Sequence, residues 1–184
     1  MKRIINTALF FIIAVIALPQ EKYFTKTGKV TFYSKAPLED IDAKNRNAVS
    51  VFDKNTGQVE VSMLMKAFEF KKALMQEHFN ENYIESDKFP KSVFKGLIGD
   101  LSKVDFTKDG KYQANVSGKL SIHGETKDVA APVTFTINNG MISAICEFKI
   151  VLDDYKISIP SLVKDKISKE VRVEIEINYE VLNH

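Results

Sequence analysis

A chain of 184 residues with 45% hydrophobic and 27% charged side chains is long enough to bury its own core, and eight glycines with five prolines exclude collagen-like or disordered composition. Of its 26 basic residues two are Lys2 and Arg3, so the remainder balances 24 Lys and Arg against 24 Asp and Glu. That balance excludes a broad phosphate-binding surface.

Residues 1–20 read as a secretory signal peptide. Lys2 and Arg3 precede an apolar run from Ala8 to Leu18, about half of the ~20 residues that span a bilayer, and Pro19 and Gln20 follow. An uncleaved anchor is the alternative, since Ile4 and Ile5 extend the stretch. Residues 21–184 form a single domain under either reading. Export implies a periplasmic or secreted, oxidising setting. Cys146 is the one cysteine, so no disulfide can form within the chain; at an apolar position of a strand pattern it reads as a small hydrophobe.

The chain after Gln20 has period two nearly throughout, which predicts strands with one face toward a core. In order these are Lys29–Ser34, Ala48–Asp53, Gln58–Phe68, Val93–Phe106, Tyr112–Ile122, Val129–Ile137, Ile142–Leu152 and Lys169–Val181. The last is the clearest: Val171, Val173, Ile175, Ile177, Tyr179 and Val181 alternate with Arg172, Glu174, Glu176, Asn178 and Glu180. Asn55-Thr56-Gly57, Lys108-Asp109-Gly110 and Asn138-Asn139-Gly140 predict tight hairpins, because Asn and Gly tolerate positive φ. Pro132 falls on an outward position and predicts a bulge or a locally unpaired edge. Two segments break the rhythm. Phe70–Phe79 has apolar pairs at helical spacing and predicts one short helix, followed by irregular Asn80–Pro90. Tyr155–Ile167 is irregular but apolar, and is expected to pack at a barrel mouth. Long strands whose neighbours in sequence are neighbours in space predict an all-β fold. It is an eight-stranded antiparallel up-and-down barrel, lipocalin-like, with one short helix at a barrel mouth.

The polar residues offer no reaction centre. His78 fits the C-terminus of the predicted helix, where it complements the helix dipole; a head-group contact or a metal ligand is the sharper alternative. His123 sits in a turn and His184 ends the chain. The acid pairs Glu39-Asp40 and Asp153-Asp154 lie in loops. No zinc spacing, nucleophile elbow, phosphate loop or basic-aromatic patch occurs, so the reading includes no catalytic residue, metal, cofactor or nucleic acid.

Three stretches carry a family resemblance: His78-Phe79, Tyr83-Ile84-Glu85-Ser86 with Phe89-Pro90 and Phe94, and Gly118 to Thr126. They resemble a histidine followed by a hydrophobe, an aromatic-rich acidic segment entering a strand, and a glycine-x-threonine hairpin of the YceI-like family. The resemblance covers about Lys29 to Tyr179. It implies a secreted barrel that binds polyisoprenoids or other long-chain lipids, and is compatible with transient membrane contact and with a homodimer. The chain departs from the family where Leu74-Met75 and its neighbours replace an Arg-Asp pair. It departs again where Gly28–Ser34 replaces an opening aspartate and a His-Ser pair. The spacing from His78 to Pro90 is also one residue shorter. With no tryptophan, the chain lacks the Gly-x-Trp of true lipocalins.

An eight-stranded barrel either fills with its own side chains or holds one slender ligand, and period two is satisfied by both. The resemblance implies the hollow form. The candidate lining is Phe32, Met63, Met65, Phe68, Phe70, Leu74, Phe94, Val116, Leu120, Val133, Phe135, Phe148, Val173, Ile175 and Ile177. Two other functions stay open at this point: a filled barrel acting as a structural or interaction module, and an enzyme working at a barrel mouth.

Overall fold

The computed structural model describes residues 22–182; the leader reading of residues 1–20 lies outside them. Nine strands occur in the order β1 (Lys22–Lys35), β2 (Asp40–Asp53), β3 (Gln58–Leu64), β4 (Glu69–Phe70), β5 (Lys91–Gly99), β6 (Gly110–Ile122), β7 (Glu125–Asn138), β8 (Met141–Val151) and β9 (Glu170–Val181). Helix α1 (Ala73–His78) lies between β4 and β5. Eight strands pair antiparallel with their neighbours in sequence, and β1 pairs with both β2 and β9, closing the barrel. β4 is a two-residue strip laid on β2 at Ala43 and Lys44. The up-and-down course sends residues 36–39, 65–90, 123–124 and 152–169 to one end, here the mouth. Residues 54–57, 100–109 and 139–140 go to the other, here the floor.

The hairpin at Asn139-Gly140 forms as its residues predict, with φ of 49° and 76° and Asn138 paired with Met141. Pro132 also behaves as predicted. The β7–β8 ladder runs from Val133–Cys146 to Asn138–Met141 and stops there, so Asp128–Pro132 and Glu147–Lys149 flank a cleft instead of pairing. Pro132, lacking an N–H, stands where the ladder parts.

Several boundaries differ from the sequence expectation, each for a local reason. β1 begins at Lys22 rather than Lys29: its register shifts between Thr25 and Val30, which resets the alternation, and its inward Thr25 is polar yet buried. β2 begins at Asp40 rather than Ala48 because Asn45, fully buried, is satisfied locally. Its Nδ2 donates to the Leu64 carbonyl (2.8 Å) and its Oδ1 accepts the Asn47 N–H (2.9 Å). β3 ends at Leu64, not Phe68. A 3₁₀ turn over Met65–Ala67 follows, and the Met65 N–H bonds the Pro90 carbonyl at 2.9 Å. The helix is shorter than Phe70–Phe79: Phe70 belongs to β4, and a π turn over Phe79–Tyr83 continues past His78. β5 ends at Gly99 rather than Phe106. Asp100 turns left-handed (φ 56°) and a 3₁₀ turn over Leu101–Lys103 follows, so no tight hairpin forms at Lys108-Asp109-Gly110.

Gly96 and Gly118 face each other across β5 and β6. A Cβ on Gly118 falls 2.5 Å from the Gly96 Cα and 2.3 Å from the Lys95 carbonyl oxygen, so the backbones approach where no side chain fits. Gly118→Ala is expected to cost roughly 2–3 kcal/mol, measured as a lowered urea midpoint with unchanged m-value.

Aromatic residues close the floor. Phe52, fully buried, packs against Tyr23, Phe106, Phe135 and Tyr179 with ring centroids 5.6–6.4 Å apart. Burial pushes the Tyr179 phenol up to about 12; its 3.0 Å hydrogen bond with Ser50 Oγ acts weakly in the opposite direction. A second cluster stands at the mouth: Phe32 lies 5.3 Å from Phe68 and 5.6 Å from Phe79, and Phe70 lies 5.0 Å from Phe79. Outward faces carry cross-strand ion pairs such as Lys149–Glu170 (2.7 Å) and Arg172–Glu147 (2.7 Å), each worth little in water.

Candidate functional site

The two aromatic clusters bound a cavity of about 460 Å³, within the range of small-molecule sites. Its wall follows from the strand period. On β9 the inward set Val171, Val173, Ile175, Ile177 and Tyr179 lines it from mouth to floor, while Arg172, Glu174 and Glu176 face solvent with their ion partners. β3 contributes Val59, Val61 and Met63 in the same way, and β6 contributes Val116, Leu120 and Ile122.

All fifteen residues of the candidate lining reach this cavity. Phe135 forms part of its floor. Met63, Phe94, Val116, Leu120, Val133, Phe148, Val173, Ile175 and Ile177 form its wall. Phe32, Met65, Phe68, Phe70 and Leu74 stand toward its mouth. Sequence reasoning missed two kinds of lining residue. Val59, Val61, Val171 and Tyr179 share strands and faces with residues it included, so the period-two signal was present. Met75 lies on α1, one residue from the included Leu74, and Val163 and Lys166 come from the irregular 152–169 segment, where no period marks direction.

The cavity's electrostatics are graded. Its acidic and basic lining residues, Glu39, Lys72, His78 and Lys166, all belong to mouth segments, and Lys72 Nζ lies 2.8 Å from Glu39 Oε1. His78 is the exposed last residue of α1, at the rim. Besides these, Ser34, Tyr83 and Ser92 toward the mouth and Cys146 and the Tyr179 phenol deeper down are the polar exceptions to a hydrocarbon wall. Among the described residues, no three His, Cys, Asp or Glu side chains converge as a metal site.

The mouth segments are tied together by His123. Its Nδ1 lies 3.0 Å from the Tyr155 carbonyl and its Nε2 lies 2.8 Å from Glu85 Oε2, while Phe89 meets the ring edge-on at 4.5 Å. One side chain in the β6–β7 turn thus joins the 79–90 segment to the 152–157 loop. His123 itself adopts φ 51°, in keeping with the turn position its sequence suggests.

Cys146 faces the cavity at the last rung before the β7–β8 ladder parts. Burial pushes its thiol up to about 11. Because the thiolate is the nucleophile, and only about one molecule in a thousand carries it at pH 8, alkylation of the folded protein is slow there. Alkylation of the folded protein is expected to accelerate tenfold per pH unit toward pH 11, whereas the urea-unfolded chain levels off near the ordinary thiol value. Equal rates in both states at pH 8 would contradict the buried, inward placement.

Solved structures share this architecture at low sequence identity. A polyisoprenoid binding domain from Saccharophagus degradans aligns with a TM-score of 0.77 at 13% identity, covering 89% of this chain and 99% of its own. BcnA of Burkholderia cenocepacia gives 0.68 at 17%, covering 83% and 96%. The YceI protein of Campylobacter jejuni gives 0.57 at 16%, covering all of both chains. Comparison with curated proteins finds no match. The family model for the YceI-like domain spans residues 21–179, and with it the resemblance in the mouth segment and the β6–β7 hairpin becomes membership: this chain belongs to the YceI-like family.

Proposed function

We propose that this protein binds one long apolar chain, such as a polyisoprenoid, inside the barrel and carries it in the periplasm or outside the cell. The role is binding rather than catalysis. The observation that carries the reading is a blind-ended cavity with a hydrocarbon wall and charge confined to its mouth. The lining on β9 runs from Val171 to Tyr179, which at ~3.4 Å per residue and a ~40° strand tilt gives a lumen roughly 20 Å deep. A chain advances about 1.2 Å per bond when extended, so such a lumen takes roughly four isoprene units. Each unit transferred from water gains ~4 kcal/mol before ordering costs. Shape and desolvation therefore suffice without a polar anchor, and Met63, Met65 and Met75 add adaptable wall. The shared fold of a polyisoprenoid binding domain supports an isoprenoid as the chain by analogy. Export, detergent-free purification and lipid mass spectrometry test the reading: a co-purifying or added isoprenoid bound one to one supports it, and repeated recovery of empty protein that ignores added isoprenoid overturns it.

A further inference from the structure

The mouth of the barrel carries exposed leucines that the fold leaves uncovered. Leu162 is 93% exposed, Leu38 70% and Leu74 60%. They come from three separate segments, and each stands in or beside a cavity-lining residue: Leu38 precedes Glu39, Leu162 precedes Val163, and Leu74 lines the cavity itself. A 3.0 Å hydrogen bond from the Leu38 N–H to the Asp165 carbonyl joins two of these segments. The apolar patch and the opening therefore coincide.

Charge in the three segments that carry these leucines is predominantly positive, while the mouth end as a whole mixes both signs. Segments 35–39, 71–75 and 160–169 hold Lys35, Lys71, Lys72, Lys164, Lys166 and Lys169 against Glu39 and Asp165, although the chain beyond residue 20 is balanced. Lys71 and Lys72 pair with Asp42 and Glu39. Among the described residues Lys35, Lys164, Lys166 and Lys169 form no ion pair, and all four are exposed.

We infer that this rim is a membrane-docking surface, its leucines entering the headgroup region of a bilayer that carries acidic lipids and its lysines facing their phosphates. The inference rests on the proposed function: a chain too apolar to cross water is exchanged with least exposure when the barrel mouth sits on the membrane that holds it. Leucines supply the burial and lysines the attraction to negative surface potential.

The protein has no tryptophan, so one introduced residue reports its own environment. Leu162→Trp should shift its emission to the blue on adding phosphatidylcholine vesicles containing phosphatidylglycerol, and brominated acyl chains should quench it. Met141→Trp, also exposed (64%) but at the floor hairpin, should do neither. The double variant Leu38→Glu/Leu162→Glu should lose vesicle partitioning by about tenfold per leucine, since burying one such side chain is worth roughly a factor of ten. Neither residue lines the cavity, so binding of farnesol added without vesicles should stay unchanged. No shift for Leu162→Trp, or an equal shift for Met141→Trp, overturns the docking surface. Undiminished partitioning of the double variant overturns it too. Failure of the wild type to bind farnesol would instead count against the cavity reading, leaving the vesicle result to stand by itself.

Discussion

Ile175→Glu should abolish uptake of an apolar chain. Ile175 sits midway along the lumen wall, paired with Val30 on one side and Cys146 on the other, and is half-buried. In the empty barrel the carboxylate keeps its water in a cavity of about 460 Å³, so the fold survives. An incoming hydrocarbon displaces that water and leaves an ionised group without a partner, at an effective cost of several kcal/mol. A loss of at least ~3 kcal/mol corresponds to weakening by more than about a hundredfold. The sign with pH follows: ligand favours the neutral carboxyl, so affinity should return as pH falls and the group takes up its proton. Ile175→Leu should bind as the wild type does. Titration of the three proteins with a fluorescent isoprenoid at two pH values reads all of this, and unimpaired binding by Ile175→Glu at neutral pH would place the ligand elsewhere.

Phe52→Ala should be among the most destabilising single changes. Its ring is the hub of the floor cluster, and truncating a fully buried phenylalanine costs about 3–5 kcal/mol through lost burial and the void left behind. That is a large share of the roughly 5–15 kcal/mol that holds a domain folded. The same void lies directly beneath the lumen, because Phe135 and Tyr179 touch both Phe52 and the cavity. Phe52→Ala is therefore expected to lower the urea midpoint and, where it folds, to shift preference toward longer chains. A destabilised variant with unaltered chain-length preference would separate the floor from the ligand path.

Much of the barrel was legible because strands declare direction. The outward charges of β9 and the Asn139-Gly140 turn each encode geometry in residue type, and the same alternation brought the eleven candidate residues on the long strands to one lumen, which Met65, Phe68, Phe70 and Leu74 reach from the mouth segment. The misreadings share a cause. Phe68, Val104 and Phe106 are apolar and continue a strand pattern, yet they leave their strands to plug an end of the barrel; burial of a residue by a turn has no period. Asn45 and Thr25 hid parts of β2 and β1 in the opposite way, as polar side chains buried on strand faces. Whether the interior was hollow was not legible at all, because volume around the circumference depends on which residues share a level. Phe52, Phe106 and Phe135 gather at the floor, while Ala131 and a run of valines leave space above them.

The most direct measurement is a crystal structure with a prenyl or alkyl chain brominated at its tail. An anomalous peak is expected deep in the lumen near Phe135 and Ile177, with the head of the molecule between Leu74 and Lys166. Bromine found only on the outer surface, above a lumen closed by its own side chains, would contradict that placement.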